Sequence, residues 1–153
     1  MKIVDILPES LVIPALQGRT KDAIIPELAG HLAAVHTQID AGRLVEVLWE
    51  RERLGSTAIG DGIAIPHGKL PGVTGVLGAF GRHLEGVDFQ SLDGNPSKLF
   101  FLLVAPEDSV GLHLKALARV SRLLKDPEFR ARLLTARDQA ELYRTIREED
   151  DKY

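Results

Sequence analysis

The chain has 153 residues, of which 44% are hydrophobic and 27% are charged, a balance that predicts one domain with an apolar core. The net charge is -3 and no block of Lys/Arg is present, so the sequence offers no basic patch for binding nucleic acid. The absence of cysteine excludes disulfides, thiolate zinc sites and cysteine nucleophiles. No apolar run approaches the ~20 residues that span a bilayer, and the first ten residues do not fit a secretory signal, so we expect a cytoplasmic protein without membrane insertion.

The first third of the chain predicts one short strand and two helices. The apolar run from Leu11 to Ile13 predicts an edge strand. Thr20 suits a helix N-cap, but Pro26 interrupts the helical pattern and favours a later start, with proline in the first turn. Asp40 suits a second N-cap, and that helix is expected to end at about residues 51–53.

The middle of the chain predicts strands. Glycine is frequent from Leu54 to Gly75, and two brief apolar runs, at 58–59 and 63–65, predict short strands within this stretch. Val76 to Phe80 predicts a buried strand. The continuous apolar run from Leu99 to Val104 predicts another, with both faces covered.

The remaining elements complete an α/β pattern. Val87 to Phe89 predicts a further short strand, and helices follow Pro106, with Asp126 and Asp138 as N-caps. The apolar face of the first of these helices is predicted at Leu114, Leu117, Val120 and Leu124, with Lys115, Arg119 and Arg122 in solvent. We therefore expect a single-domain α/β sandwich over residues 1–153, with a mixed sheet of about five strands, helices on both faces and a flexible acidic tail over 148–153.

His67 is the histidine in the most unusual context. Imidazole is the only good nucleophile near neutral pH among the residue types present. Proline precedes His67 and Gly68 follows it, which fixes the chain direction and allows another molecule to approach closely. From local sequence, a functional histidine and an idle loop histidine both stay open. His31 and His36 are expected on a helix surface, and His83 in a turn.

Four further residues supply groups that bind a phosphoryl group. Its charge is spread over three oxygens, so it is stabilised by guanidinium, hydroxyl and backbone donors. Arg51, Ser56 and Thr57 carry such groups, although each also fits a structural role at a helix end or turn. His113 is expected early in a helix, either donating a hydrogen bond to a phosphate or packing as an ordinary first-turn residue.

These residues lie in a pattern that resembles a known family. Arg51 to Thr57 reads Arg-Glu-Arg-Leu-Gly-Ser-Thr and Gly62 to Gly68 reads Gly-Ile-Ala-Ile-Pro-His-Gly. Together they resemble the active-site signature of type-2 IIA domains of the bacterial phosphotransferase system, the mannitol/fructose/nitrogen-regulatory class. The similarity continues through 86–89 and 113–117, covers nearly the whole chain, and is strongest to the nitrogen-regulatory branch.

The resemblance implies a role for each candidate residue. It implies that His67 accepts a phosphoryl group at Nε2 from a phosphohistidine on an HPr-like donor. Arg51 is expected to pair with the phosphoryl oxygens, and His113 to hydrogen-bond the phosphate or its neighbours. Ser56 and Thr57 match the Ser-Thr pair beside the phosphate. No metal and no cofactor is expected.

The resemblance also implies a regulatory output. In the nitrogen-regulatory branch, the phosphorylation state regulates partners such as potassium-transport proteins and sensor kinases. One alternative is a sugar-specific IIA of the fructose or mannitol type, which passes the phosphoryl group to a IIB cysteine. Another is a partner-binding module without phosphotransfer. A metal site at His67 and His113 is disfavoured, because no carboxylate or cysteine lies at ligand spacing near His67.

Overall fold

The computed structural model describes residues 1–153 and contains five α-helices and six strands. The helices are α1 (Lys21–Val35), α2 (Ala41–Arg53), α3 (Val110–Leu124), α4 (Pro127–Thr135) and α5 (Gln139–Asp150). The strands are β1 (Val12–Ile13), β2 (Ala58–Gly60), β3 (Ile63–Ala64), β4 (His67–Leu70), β5 (Leu77–Val87) and β6 (Ser97–Pro106). Two 3₁₀ helices, Ile3–Asp5 and Glu9–Leu11, precede β1. None of the helices has the length and apolar composition that a membrane crossing requires.

The sheet is mixed and has β5 and β6 at its centre. β5 is antiparallel to β6, β1 is parallel to β5 at one edge, and β2 is antiparallel to β3 at the other. Both β3 and β4 are parallel to β6 in one unbroken register, with Ile63 opposite Leu99 and His67 opposite Leu103. The two strands therefore lie end to end along β6, with an interruption at Ile65 and Pro66. Proline has no N–H to donate to the neighbouring strand.

Helices cover both faces of the sheet, as the sequence predicts, and the sheet has six strands rather than about five. On one face α1 packs against α2 and β5, and Gly68 of β4 lies against Val47 and Leu48 of α2. Helices α3, α4 and α5 cover the other face. Their contacts with the sheet include Phe80, Phe101, Val120, Phe129 and Ile146. The 41 buried apolar side chains form one continuous cluster, which indicates a single compact domain.

Side-chain caps begin four of the helices. The Thr20 hydroxyl accepts the N–H of Ala23, so α1 begins at Lys21 and Pro26 lies inside the helix. The expectation that the helix begins near Pro26 is therefore wrong. The cap and the fully buried Ile24 stabilise the turn that precedes the proline. Asp40, Asp126 and Asp138 also accept backbone N–H groups, whereas Ser109, at the start of α3, makes no such bond.

Strand β5 is longer than its apolar run. It continues through polar residues to Val87, so the separate strand expected over 87–89 is wrong. Its pairing with β6 is irregular between Arg82 and Val87. His83, expected in a turn, is buried in this strand, and its Nδ1 accepts the N–H of Gly86.

The predicted apolar face of α3 is confirmed at the buried Val120 and Leu124 and the partly buried Leu117, but it is wrong in the first turn of the helix. Leu114, expected in the core, is 59% exposed, and the neighbouring His113 is buried in its place. Arg119, expected in solvent, donates two hydrogen bonds to the carboxylate of Asp150. The inward position of His113 explains the difference, because a helix that buries residue 113 turns residue 114 outward.

The end of the chain is largely held in place. Glu149 and Asp150, which the sequence includes in a flexible tail, are buried at the end of α5. Asp150 also accepts the N–H of Val4, which joins the last helix to the first residues of the chain. The last three residues, 151–153, are exposed. The domain limits of 1–153 stay a prediction.

Candidate functional site

The structure brings His67, Arg51 and His113 together at the edge of the sheet. His67 is the first residue of β4, not a residue after a strand as expected, because the line of β3 resumes directly after Pro66. Arg51 lies in the last turn of α2, and its Nε lies 3.2 Å from His67 Nε2. His113 lies in the first turn of α3, with its ring centroid 5.3 Å from that of His67. Two helices on opposite faces thus converge on one strand.

The three side chains line an open depression of about 430 Å³. The other residues that line it are Val47, Glu50, Leu54, Gly68, Lys69, Leu114 and Leu117. Leu54 is 85% exposed, and together with Leu114 it gives the depression an apolar rim. A group bound at His67 is therefore accessible to a second protein.

The hydrogen bonds of His67 define its protonation. Its Nδ1 lies 2.7 Å from the carbonyl oxygen of Ile65, and a carbonyl oxygen can only accept, so Nδ1 carries the proton. The Nε–H of Arg51 can only donate, so His67 Nε2 carries a lone pair. Burial, with Arg51 as a smaller cause, lowers the pKa of His67, although the Ile65 hydrogen bond and Glu52 act in the opposite direction. The ring is therefore neutral at pH 7, and Nε2 is its nucleophilic atom.

His113 is neutral as well. Burial, together with His67 and Lys69, lowers the pKa of His113 to about 4. Its Nδ1 is buried and has no hydrogen-bond partner. A neutral imidazole beside His67 can donate or accept a hydrogen bond without adding a positive charge.

The guanidinium of Arg51 is held at the end of α2. Its Nη1 donates to the carbonyl oxygen of Gly55 at 2.9 Å, which leaves the Nε–H directed at His67. A planar guanidinium has five N–H donors and suits a phosphoryl group. The remaining donors are available for an anion on His67 Nε2.

Ser56 and Thr57 do not direct their hydroxyls at His67. The Ser56 hydroxyl donates to the carbonyl oxygen of Phe89 at 2.7 Å and accepts the N–H of Ala58. Thr57 is buried, and its hydroxyl donates to the carboxylate of Glu52. Both hydroxyl protons are therefore engaged within the protein.

Sequence reasoning missed three charged residues near the site. Glu52 follows Arg51 and is buried in an ion pair with Lys21, whose Nζ lies 2.8 Å from Glu52 Oε1. Lys69 lies two residues after His67 and shares its face of β4. Glu52 lies within the matched segment 51–57 and Lys69 directly follows the segment 62–68, so both carried a signal, whereas nothing local in the sequence distinguishes Lys21.

The other histidines lie outside the depression. His31 is exposed on α1, His36 follows α1 as its C-cap, and His83 is buried in β5. No group of three or more His, Asp or Glu side chains is arranged to hold a metal ion.

Comparison with known proteins identifies the family of this fold and site. The family described as "Phosphoenolpyruvate-dependent sugar phosphotransferase system, EIIA 2" matches residues 5–149. The chain therefore belongs to the type-2 EIIA family of the phosphotransferase system, and the resemblance stated from its sequence is confirmed.

Its relatives include nitrogen-regulatory and sugar-specific proteins. A nitrogen regulatory protein of Bradyrhizobium diazoefficiens is 42% identical over 146 residues, which cover 95% of each chain. A fructose-specific EIIABC component of Bacillus subtilis is 37% identical over 150 residues, 98% of this chain but 24% of that protein. The crystal structure of nitrogen regulatory protein IIA-Ntr from Neisseria meningitidis has a TM-score of 0.88 and 33% identity, covering 94% of this chain and 98% of that one.

Proposed function

We propose that residues 1–153 act as one phosphoryl-carrier unit in which Nε2 of His67 accepts a phosphoryl group from a phosphohistidine on an HPr-like donor. The observation that carries the proposal is the pair of hydrogen bonds at the His67 ring. The carbonyl oxygen of Ile65 accepts the Nδ1–H of His67, and the Nε–H of Arg51 donates to Nε2. Nε2 therefore carries the nucleophilic lone pair, and it lies in an open depression.

Transfer to His67 balances without a proton leaving the ring. The Nε2 lone pair forms the new nitrogen–phosphorus bond, while the bond in the donor breaks and its electron pair returns to the donor imidazole. Throughout the step, the His67 Nδ1–H stays bonded to the Ile65 carbonyl oxygen. The Arg51 donors move from Nε2 to the phosphoryl oxygens, with neutral His113 beside them. Positioning and charge stabilisation are the main requirements of phosphoryl transfer.

The rim of the depression suits a docking protein. Leu54 and Leu114 are both exposed, at 85% and 59%, and they flank the reactive ring. Large exposed apolar side chains around a functional group are typical of transient interfaces. An HPr-like donor would bury them while its own phosphohistidine approaches His67.

We further propose that the phosphorylation state of this protein regulates partner proteins, such as a potassium transporter or a sensor kinase. Support comes from the Bradyrhizobium relative named a nitrogen regulatory protein, which matches this chain along 95% of both lengths. The alternative is a sugar-specific IIA that passes its phosphoryl group to a IIB cysteine. The fructose-specific relative favours that alternative.

The direct test is phosphorylation by a purified, phosphorylated HPr-like donor. The wild-type chain should take up one phosphoryl group that is acid-labile and base-stable. His67→Ala should take up none. His31→Ala, which removes an exposed histidine of α1, is the matched control and should be labelled like the wild type. Full labelling of His67→Ala would contradict the assignment.

A second experiment separates the two branches of the family. The phosphorylated protein is mixed with a fructose-type IIB, and the label on each protein is followed with time. Retention of the label on this chain supports the regulatory function. Transfer as fast as from a cognate fructose IIA would support the sugar-specific alternative.

A further inference from the structure

A buried ion pair lies behind the His67 ring. Lys21 of α1 and Glu52 of α2 approach to 2.8 Å, and their side chains are only 8% and 1% exposed. Lys21 also donates to the Gln90 side chain at 3.1 Å, and its ammonium lies over the rings of Trp49 and Phe89. All of these partners are at a distance from Lys21 in the sequence, so the pair forms only in the folded protein.

A continuous series of hydrogen bonds leads from this pair to His67. The Thr57 N–H donates to Glu52 Oε1 at 3.1 Å, and the Thr57 hydroxyl donates to Oε2 of the same carboxylate. The Thr57 carbonyl oxygen accepts the N–H of Ile65 at 3.0 Å. The Ile65 carbonyl oxygen in turn accepts the Nδ1–H of His67 at 2.7 Å.

We propose that Glu52 is a positioning residue for His67, acting through Thr57 and Ile65. The buried carboxylate holds both donors of Thr57, Thr57 holds the backbone of Ile65, and Ile65 selects the ring form in which Nε2 is unprotonated. The inference rests on the proposed phosphoryl acceptance at Nε2, but the state of the ring is measurable without any donor.

Stability alone does not account for a buried ion pair. Removing two charges from water is costly, and apolar side chains of similar volume often stabilise a protein as well or better. The Glu52 carboxylate nevertheless accepts two hydrogen bonds from Thr57, the residue that continues the series to His67, in addition to its ion pair with Lys21. Its geometry therefore fits a positioning function.

Glu52 also contributes an opposing charge at the ring. The charged or titratable groups around His67 are Glu50, Arg51 and Glu52 of α2, Lys69 of β4 and His113 of α3. Arg51 lowers the pKa of His67, whereas Glu52 raises it. After transfer, the ring carries phosphorus on Nε2 and a proton on Nδ1, so it is cationic, and a fixed carboxylate stabilises that charge.

The test measures the ring and the transfer rate in the same variants. Two-dimensional nitrogen NMR gives the tautomer and the pKa of His67, and single-turnover labelling by an HPr-like donor gives the rate. In Glu52→Gln the pKa of His67 should fall further, because the anion that raises it is removed. Uptake should slow by roughly 10-fold to 100-fold, as expected for a misplaced reacting group.

Thr57→Val leaves the ion pair intact and carries the test if Glu52→Gln does not fold. It removes the hydroxyl donor, so a second tautomer of His67 should appear and uptake should slow. Thr57→Ser keeps the hydroxyl, so it should restore the single tautomer of His67 and the wild-type rate of uptake. Asp150→Asn, which changes an equally buried carboxylate that is paired with the more exposed Arg119, is the matched control. It should lose stability while leaving the His67 pKa, tautomer and rate as in the wild type.

The outcomes distinguish this inference from the proposed function. Wild-type tautomer and rate in folded Glu52→Gln and Thr57→Val would overturn the positioning role while leaving phosphoryl acceptance intact. Equal changes in Asp150→Asn would overturn it as well, since any buried charge would then have the same effect. A wild-type protein that takes up no phosphoryl group would contradict the proposed function, whereas the tautomer and pKa of the variants would still decide the positioning role.

Discussion

The lone pair on His67 Nε2 is controlled by two neighbours that each have a single hydrogen-bonding role. A carbonyl oxygen on Ile65 keeps the proton on Nδ1, and a guanidinium N–H on Arg51 donates to Nε2, the atom to which our proposal assigns the phosphoryl group. A solvent-exposed histidine exchanges between tautomers. Here the environment selects one of them in the free protein, which would lower the reorganisation needed for the proposed transfer.

Replacing Arg51 tests the guanidinium. Arg51→Lys keeps the positive charge but loses the planar set of donors, so single-turnover uptake should fall by roughly 10²-fold. Arg43→Lys, on the same helix and exposed, should match the wild type. Equal rates for Arg51→Lys and the wild type would assign Arg51 a structural role only.

The lowered pKa of His113 predicts a pH dependence of stability. The unfolded chain protonates His113 near the ordinary value of 6.5, whereas the folded protein does so only near 4. Between these values the unfolded state binds more protons, so the free energy of unfolding should decrease as the pH falls from 6.5 towards 4. The lowered pKa of His67 acts with the same sign.

Urea unfolding at pH 7.5, 5.5 and 4.5 measures this dependence. His113→Gln should reduce the loss of stability in that window, because one of the depressed groups is removed. If the wild type and His113→Gln lose the same stability between the pH values, His113 does not titrate as its burial requires.

The segments 51–57, 62–68 and 113–117, which carry the family resemblance, contain enough information to predict the three residues that meet in the depression. The hydroxyl directions of Ser56 and Thr57 could not be predicted, because their partners are Phe89 and Glu52 and the outcome depends on tertiary contacts. The burial of His113 in place of Leu114 was not predicted, for a similar reason. Helical periodicity favours the more apolar Leu114 for the core, although the structure buries the histidine.

At the scale of elements, the close packing of α2 on β4 determines the distance from Arg51 to His67. Gly68 makes this possible, because a Cβ at this position would lie 2.5 Å from Val47 Cγ1. The strand and helix therefore approach more closely than a side chain at residue 68 would allow.

Gly68→Ala should separate α2 from β4. We expect a loss of about 1–3 kcal/mol in the free energy of unfolding from overpacking, together with slower uptake as Arg51 moves away from His67. The double variant Gly68→Ala with Val47→Ala should recover much of the lost free energy of unfolding and much of the lost uptake rate. Urea unfolding gives the first quantity and single-turnover labelling the second. A stable, fully active Gly68→Ala protein would mean that α2 can shift without consequence.

Element starts were more predictable than element ends. Asp40, Asp126 and Asp138 are local signals, and each caps the helix it was expected to cap, whereas Pro26 obscured the cap at Thr20. The length of β5 was not predictable, because residues 82–86 are largely polar and extend the strand only through pairing and tertiary burial.

For the whole molecule, the two chain ends are joined by buried polar contacts. Asp150 is fully buried, pairs with Arg119 at 2.6 Å and accepts the N–H of Val4. The order of helices and strands along the chain predicted the α/β sandwich. It could not predict the contact between Asp150 and Val4, because this contact joins residues from opposite ends of the sequence. Composition alone therefore predicted a flexible tail where the structure has a buried carboxylate.

Removing this carboxylate tests whether the last helix is part of the stable domain. Asp150→Ala leaves Arg119 without its buried partner and should lower the free energy of unfolding by about 3 kcal/mol. Asp151→Ala, at an exposed neighbour, should have little effect. An unchanged urea midpoint for Asp150→Ala would mean that residues 148–153 behave as a flexible tail.

The most direct measurement of the central claim is nitrogen NMR of the His67 ring before and after reaction with a phosphorylated HPr-like donor. We expect the free protein to carry its ring proton on Nδ1, and the phosphorylated protein to show coupling between phosphorus and Nε2 of His67. A ring proton on Nε2 in the free protein, or phosphorus on Nδ1 or on another residue, would contradict it.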